Sequence, residues 1–161
     1  MSVAIATIFG IGYLRPAPGT WGSLFALFLA ILLLESFGLL GFAFALLSAS
    51  VFGWWATSEY LKQTAAKDPS EVVIDELIGM WIAILPIAWA IFHYNLFSLD
   101  LWPGWISSFF FFRIFDIYKP SLIGWADKKN GTLGVILDDI FAGIAAAICT
   151  MILAVFYHGI S

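Results

Sequence analysis

Seven charged residues set the chemistry open to this chain: Asp75, Glu76, Arg113, Asp116, Lys119, Asp138 and Asp139 all lie in or against long apolar runs. A charge at bilayer depth costs at least ~2.5 kcal/mol, so carboxylates placed there face a cavity, a cation or a partner charge. Asp138 and Asp139 are adjacent, and no Lys or Arg lies within four residues on either side. Such a pair calls for a shared cation. Hard divalent ions such as Mg²⁺ take carboxylate oxygens together with waters and substrate phosphate. Asp75-Glu76-x-x-Gly79 adds two acids at a helix start, where exposed backbone N–H groups favour negative charge, and Gly79 leaves room for a close neighbour. The plain alternatives are an acidic first turn for Asp75 and Glu76 and a solvated helix end for Asp138 and Asp139.

Arg113, Asp116 and Lys119 follow at i, i+3 and i+6 on one helix face. The Arg fork suits phosphate, Lys119 adds a second cation, and Asp116 can hold metal or move a proton. The competing reading is that Arg113 and Asp116 neutralise each other in the bilayer. Pro18-Gly19-Thr20-Trp21-Gly22-Ser23 opens the first long apolar run. With Thr20 as N-cap, its glycines and the Thr20 and Ser23 hydroxyls can offer N–H and O–H groups to an anion, against the bland reading of simple helix entry.

Absences narrow the reaction. His93 and His158 fall on the side away from the acids, no Arg follows Cys149, and neither Asp-x-Asp nor Gly-x-Ser-x-Gly occurs. Histidine, cysteine and serine-elbow nucleophiles are thereby disfavoured. What remains is carboxylate-held metal acting on a phosphate, with water or a carboxylate as nucleophile.

The elements that must position these residues are apolar helices. The chain is 62% hydrophobic and 11% charged, with a mean hydropathy of +0.98, well beyond the range of ordinary soluble domains. An integral membrane protein is expected, all-α, as one polytopic bundle over 1–161. A net charge of −4 with only seven Lys and Arg argues against nucleic acid. Cys149 is the sole cysteine, so no intrachain disulfide forms. Pro16 to Leu34, Ser36 to Ser58, Leu77 to Leu99, Leu101 to Phe112 and Ile140 to Ser161 contain no Asp, Glu, Lys or Arg. About five helices follow, some short or re-entrant, since a span needs roughly 17–25 apolar residues; the fourth reaches that length only by including Arg113 and Asp116.

The basic residues Arg15, Lys62, Lys67, Arg113, Lys119, Lys128 and Lys129 alternate with connections, Glu35 to Gly41 and His93 to Gly104, that have none. The positive-inside rule then puts the N-terminus and the charged loops in the cytoplasm, and all five acids at that rim. Tyr94, Trp102 and Trp105 read as an outer aromatic belt, and Met1 to Leu14 as mature protein rather than a cleaved signal.

Four segments, in order, resemble the phosphatidylglycerophosphatase A family: Pro18 to Ser23, Asp75 to Trp81, Phe112 to Pro120 and Gly134 to Gly143. Lys67-Asp68-Pro69-Ser70-Glu71 departs from the family pattern, where relatives often carry a His or an extra Asp. The resemblance implies an Mg²⁺-dependent lipid phosphatase of the bacterial inner membrane, converting phosphatidylglycerophosphate to phosphatidylglycerol in phospholipid synthesis. On this reading Asp75, Glu76, Asp138 and Asp139 hold Mg²⁺, while Thr20, Ser23, Arg113 and Lys119 grip the terminal phosphate. Asp116 activates water, and Asp139 shares in catalysis. The alternative is a small transporter or ion-coupled carrier using the same acids, whose site belongs at the bilayer midplane.

Overall fold

A computed structural model describes residues 1–64, 66 and 69–156 and the backbone of 157–160; Lys67, Asp68 and the His158 side chain lie outside them. Among the described residues the chain is helical and contains no strand. Seven α-helices follow one another: α1 Ser2–Ala6, α2 Pro18–Leu61, α3 Ile74–Ala83, α4 Leu85–Tyr94, α5 Trp102–Tyr118, α6 Leu122–Asp127 and α7 Thr132–Ile160. Two are long and apolar enough to cross a membrane, α2 and Thr132–Phe156 of α7; α3 and α4 reach that length together, bent by 45°.

The two expected N-terminal helices occur as the continuous α2, broken only at Gly38, where φ 63° and ψ −166° are not helical. Packing shows that α2 folds back on itself there. Gly22 lies against Val73 and Gly53 against Ile74, each so close that an added Cβ would stand about 3 Å from the neighbouring side chain. Thirty-one residues of straight helix would separate Gly22 and Gly53 by ~46 Å, yet their partners are consecutive. Trp81 sits between the two limbs: its indole N–H donates to Ala26 O at 2.8 Å, and its ring meets Phe42 at 5.5 Å.

The third expected helix breaks at Ile84 into α3 and α4. Pro86 is the cause, since it lacks an N–H and its ring crowds the carbonyl four residues earlier. The fourth is α5, whose 17 residues do include Arg113 and Asp116. It stops because Lys119 is left-handed and Pro120 follows. The last helix starts at Thr132 rather than Ile140, so Asp138 and Asp139 lie in its second turn instead of at its mouth. Between α5 and α7 lies the short helix α6.

The two connections without Lys or Arg do meet at one end of the bundle: Glu35 Oε1 accepts the Ser98 N–H at 3.1 Å. Trp102 and Tyr94 are exposed there, but Trp105 is buried. It is not part of a belt, because its indole N–H turns inward to Ser98 O at 2.7 Å.

At the core, α3, α5 and α7 converge on Gly79. A Cβ on Gly79 would lie 2.6 Å from Asp139 O on α7 and 2.6 Å from the Phe112 ring on α5. Gly143, one turn after Asp139, touches the Gly79 carbonyl with equally little room. Small residues permit such approach between membrane helices, and polar contacts reinforce it. Here Ser108 of α5 meets Thr150 of α7 at 3.2 Å and Ala83 O of α3 at 3.4 Å, all buried. Gly143→Ala is expected to cost about 1–3 kcal/mol by overpacking against backbone that cannot rotate away. Thermal unfolding in detergent would register this as a lowered midpoint; an unchanged midpoint would contradict the crossing.

Candidate metal and phosphate site

The convergence on Gly79 dictates what surrounds it. Asp75 and Glu76 precede it by one turn on α3, Arg113 and Asp116 follow Phe112 on α5, and Asp139 is the α7 residue whose carbonyl touches it. These five line a cavity of about 270 Å³ together with Lys119, Asp138 and the α2 start, Pro18 and Gly19. Pro18, Gly19, Asp75 and Glu76 lie in first turns, Arg113 and Asp116 in the last two turns of α5, Lys119 just beyond it, and Asp138 and Asp139 in the second turn of α7, so the cavity lies toward one end of these helices.

Asp75, Glu76 and Asp139 each direct one carboxylate oxygen to a common point, with those atoms all within 4.8 Å of one another. Asp75 Oδ1 also accepts the Glu76 N–H at 3.1 Å, satisfying a donor of the first turn of α3. Glu76 reaches the group because Gly19 has no side chain: a Cβ there would occupy the place of Glu76 Oε1. Gly19 therefore serves as space, a role the sequence had suggested only as an anion-binding N–H.

Asp138 stands apart from this trio, although it is adjacent to Asp139. Neighbouring residues on a helix point about 100° apart and do not share a face. Asp138 turns instead to Lys119, Oδ2 to Nζ at 2.7 Å, and Lys119 is also bound by Asp127. The cation that the sequence demanded for the Asp138-Asp139 pair is thus supplied to one member by Lys119, nineteen residues away. Burial alone would lower the Lys119 pKa, but Asp127 and Asp138 outweigh it and hold the ammonium above the ordinary lysine range. A raised folded pKa stabilises fully below the unfolded value and is lost only as pH rises through the folded one. The Lys119 bridge consequently persists at neutral pH. Asp127 was not among the sequence candidates; with a proline turn and α6 intervening, no spacing rule links it to Lys119.

Arg113 pairs with Asp116 at 2.6 Å and donates to Ser23 Oγ at 3.3 Å. Ser23 is fully buried and gives its own proton to Gly19 O, so it holds Arg113 rather than lining the cavity. Thr20 does not line it either. The N-cap is Ala17, with Pro18 in the first turn, which places Thr20 inside the helix. Arg113 Nε is buried without a partner, leaving the fork spare donor capacity.

The donor set fits a hard divalent cation. Three carboxylates offer oxygen ligands to one point, and Glu76 Oε2 and Asp139 Oδ1 are buried with no hydrogen-bond partner. Five carboxylates and only two cationic side chains share the cavity wall, so its formal charge is strongly negative and a cation is the natural complement.

Residues 4–154 match the family model for phosphatidylglycerophosphatase A. The chain belongs to the phosphatidylglycerophosphatase A family. Two relatives named phosphatidylglycerophosphatase A are similar over most of their length: 34% identity with the Haemophilus influenzae protein, over 89% of this chain and 83% of that one, and 30% with the Escherichia coli protein, over 89% and 77%. A Bacteroides thetaiotaomicron protein with the provisional name phosphatidylinositol-3-phosphatase is 37% identical over 89% of this chain and 87% of its own. No solved structure matches the chain. Family membership makes the chain a phosphatase and gives no support to the transporter alternative.

Cation binding predicts a thermal signature. A hundredfold excess over Kd adds about 2.7 kcal/mol to the folded state, so the unfolding midpoint should rise with Mg²⁺ and fall on chelation. Asp139→Asn should lose that response while stabilising the chelated protein by relieving like-charge repulsion; Asp127→Asn should keep the response. Equal Mg²⁺ shifts in wild type and Asp139→Asn would exclude this trio as the ligands.

Proposed function

We propose that this chain removes the terminal phosphate of phosphatidylglycerophosphate, releasing phosphatidylglycerol and inorganic phosphate, at the cytoplasmic face of a bacterial inner membrane. The observation that carries this is a strongly acidic cavity with one Arg fork in it, at the end of an apolar helix bundle of this family. A reaction centre at the bundle end meets a headgroup while the diacyl chains stay among the lipids. Charge alternation in the sequence supports the cytoplasmic orientation. The fold-back at Gly38 supports a polytopic bundle of about five membrane segments, counting the two limbs of α2, the bent pair α3 and α4, α5 and α7.

Asp75, Glu76 and Asp139 would hold Mg²⁺, which when bound supplies Lewis-acid charge to phosphoryl oxygens and acidifies a coordinated water. The chain's own residues do the rest. Arg113 presents its guanidinium to the phosphate oxygens, where charge accumulates as the phosphoryl group transfers. Ser23 fixes that fork from behind through a buried hydroxyl. Asp116, held by Arg113 and lining the cavity, orients the attacking water and accepts its proton. Lys119 adds positive charge at the rim and keeps Asp138 neutralised there.

The Bacteroides relative supports a second headgroup, a phosphoinositide phosphomonoester. Both candidates present the same reacting group, and an assay of phosphate release from each, in mixed micelles with and without Mg²⁺, separates them. Faster turnover of phosphatidylglycerophosphate is expected. Arg113→Lys should lower kcat/KM about 100-fold, because it keeps the charge and loses the fork. Asp116→Asn should lower kcat with KM little changed. Full activity of Arg113→Lys would remove Arg113 from the phosphate site.

A further inference from the structure

A second cavity of about 240 Å³ adjoins the first, sharing Val135 and Asp138 as its wall and bounded otherwise by Asp127, Lys128, Lys129 and Asn130 among others. Its lining sets two lysines against two carboxylates, where the first cavity sets two cations against five carboxylates. Asp127 and Asp138 are both bound to Lys119, which lines the first cavity. Lys128 and Lys129 have no carboxylate partner among the described residues, so with both acids tied to Lys119 they are the cations this cavity can offer an anion. The lysine loop is held in place. A Cβ on Gly134 would collide with Lys129 O, so the loop lies directly on the first turn of α7, and Lys129 Nζ sits 4.1 Å from the Trp125 ring centre. Trp125 and Leu133, on the two sides of this loop in sequence, are exposed and apolar.

A cavity with an Arg fork beside a candidate cation site, next to one with two lysines free of carboxylate partners among the described residues, matches a ligand with two phosphates in different states. We propose that the second cavity is the subsite for the substrate's phosphodiester, with Lys128 and Lys129 as its specificity-determining residues. The phosphomonoester enters the acidic cavity beside Arg113, the diester rests against the lysine loop, and the acyl chains leave over Trp125 and Leu133. This rests on the lipid-phosphatase reading but not on which headgroup is correct, since phosphatidylglycerophosphate and a phosphoinositide both join monoester to diester. Each cavity falls just short of the ~300 Å³ of a small-ligand pocket, and the pair together accommodates such a headgroup.

The test uses the protein in micelles of an uncharged detergent, where the substrate is the only anionic lipid present. Lys128→Ala/Lys129→Ala is expected to raise KM for phosphatidylglycerophosphate about tenfold, with Lys128→Arg/Lys129→Arg restoring most of it. The inhibition constant of inorganic phosphate, read as competition at the monoester site, should stay within twofold of wild type. An unchanged KM, or an equal rise in KM and in the phosphate inhibition constant, overturns the subsite. So does an effect that emerges only when anionic carrier lipid is added, because the lysines would then be reading the surrounding lipid surface. Wild-type protein that releases phosphate from neither lipid would instead overturn the phosphatase reading itself.

Discussion

Everything at the site depends on one steric condition, that Gly79 carries no side chain. Three helices use the vacated space: α7 brings its Asp139 carbonyl and Gly143 against it, and α5 brings the Phe112 ring. Helices in lipid gain little from hiding apolar surface from one another, so close backbone approach and buried polar ties decide how they pack. The Ser108, Thr150 and Ala83 contacts supply such a tie one to two turns from the glycine crossing. With these helices so placed, the residues flanking the crossing have no freedom to avoid each other. Their carboxylates face a shared space.

That arrangement is electrostatically costly in the protein alone. Carboxylates within a few ångströms of one another in a partly dry cavity repel, and the apolar bundle holds them there against that repulsion. The cost is local: it leaves a cluster of acids that could hold a metal ion, as a relaxed, solvated set would not. The same principle orders the neighbourhood. Lys119 gathers Asp127 and Asp138 into a bridge, which screens part of the negative field and leaves Lys128 and Lys129 without a carboxylate partner among the described residues. Arg113 is shared between Asp116 and Ser23 yet keeps an unused donor, as a group must if it is to hold an anion as well.

Much of this was legible in the residues themselves. The apolar runs, the one-sided charges and the five acids pointed to a helical membrane bundle with an acidic site at one rim, and the described residues are helical with those acids together. The start of α3, the end of α5 at Pro120 and the turn near Gly38 follow from local rules about acidic first turns, proline and glycine. Other features were not legible. Nothing in the apolar run after Asp139 says that α7 begins eight residues earlier than the charge boundary. Trp105 has the composition of a belt residue and is buried, because the turn at Ser98 offers it a carbonyl. Thr20 has the type of an N-cap but lies three residues past the N-cap, Ala17.

Residue types and spacing alone singled out the candidate groups: acids, an Arg and a Lys near helix ends, with both histidines expected on the far side and no serine elbow. Hydropathy and charge are properties of single residues and short windows, so they survive without a fold. The tertiary structure alone decided how those groups are divided. Adjacent Asp138 and Asp139 point in different directions, one to Lys119 and one to Asp75 and Glu76, because helical rotation separates neighbours in sequence. Gly19, Asp127 and Ser23 join the site through contacts that span distant parts of the chain, and no local pattern encodes them.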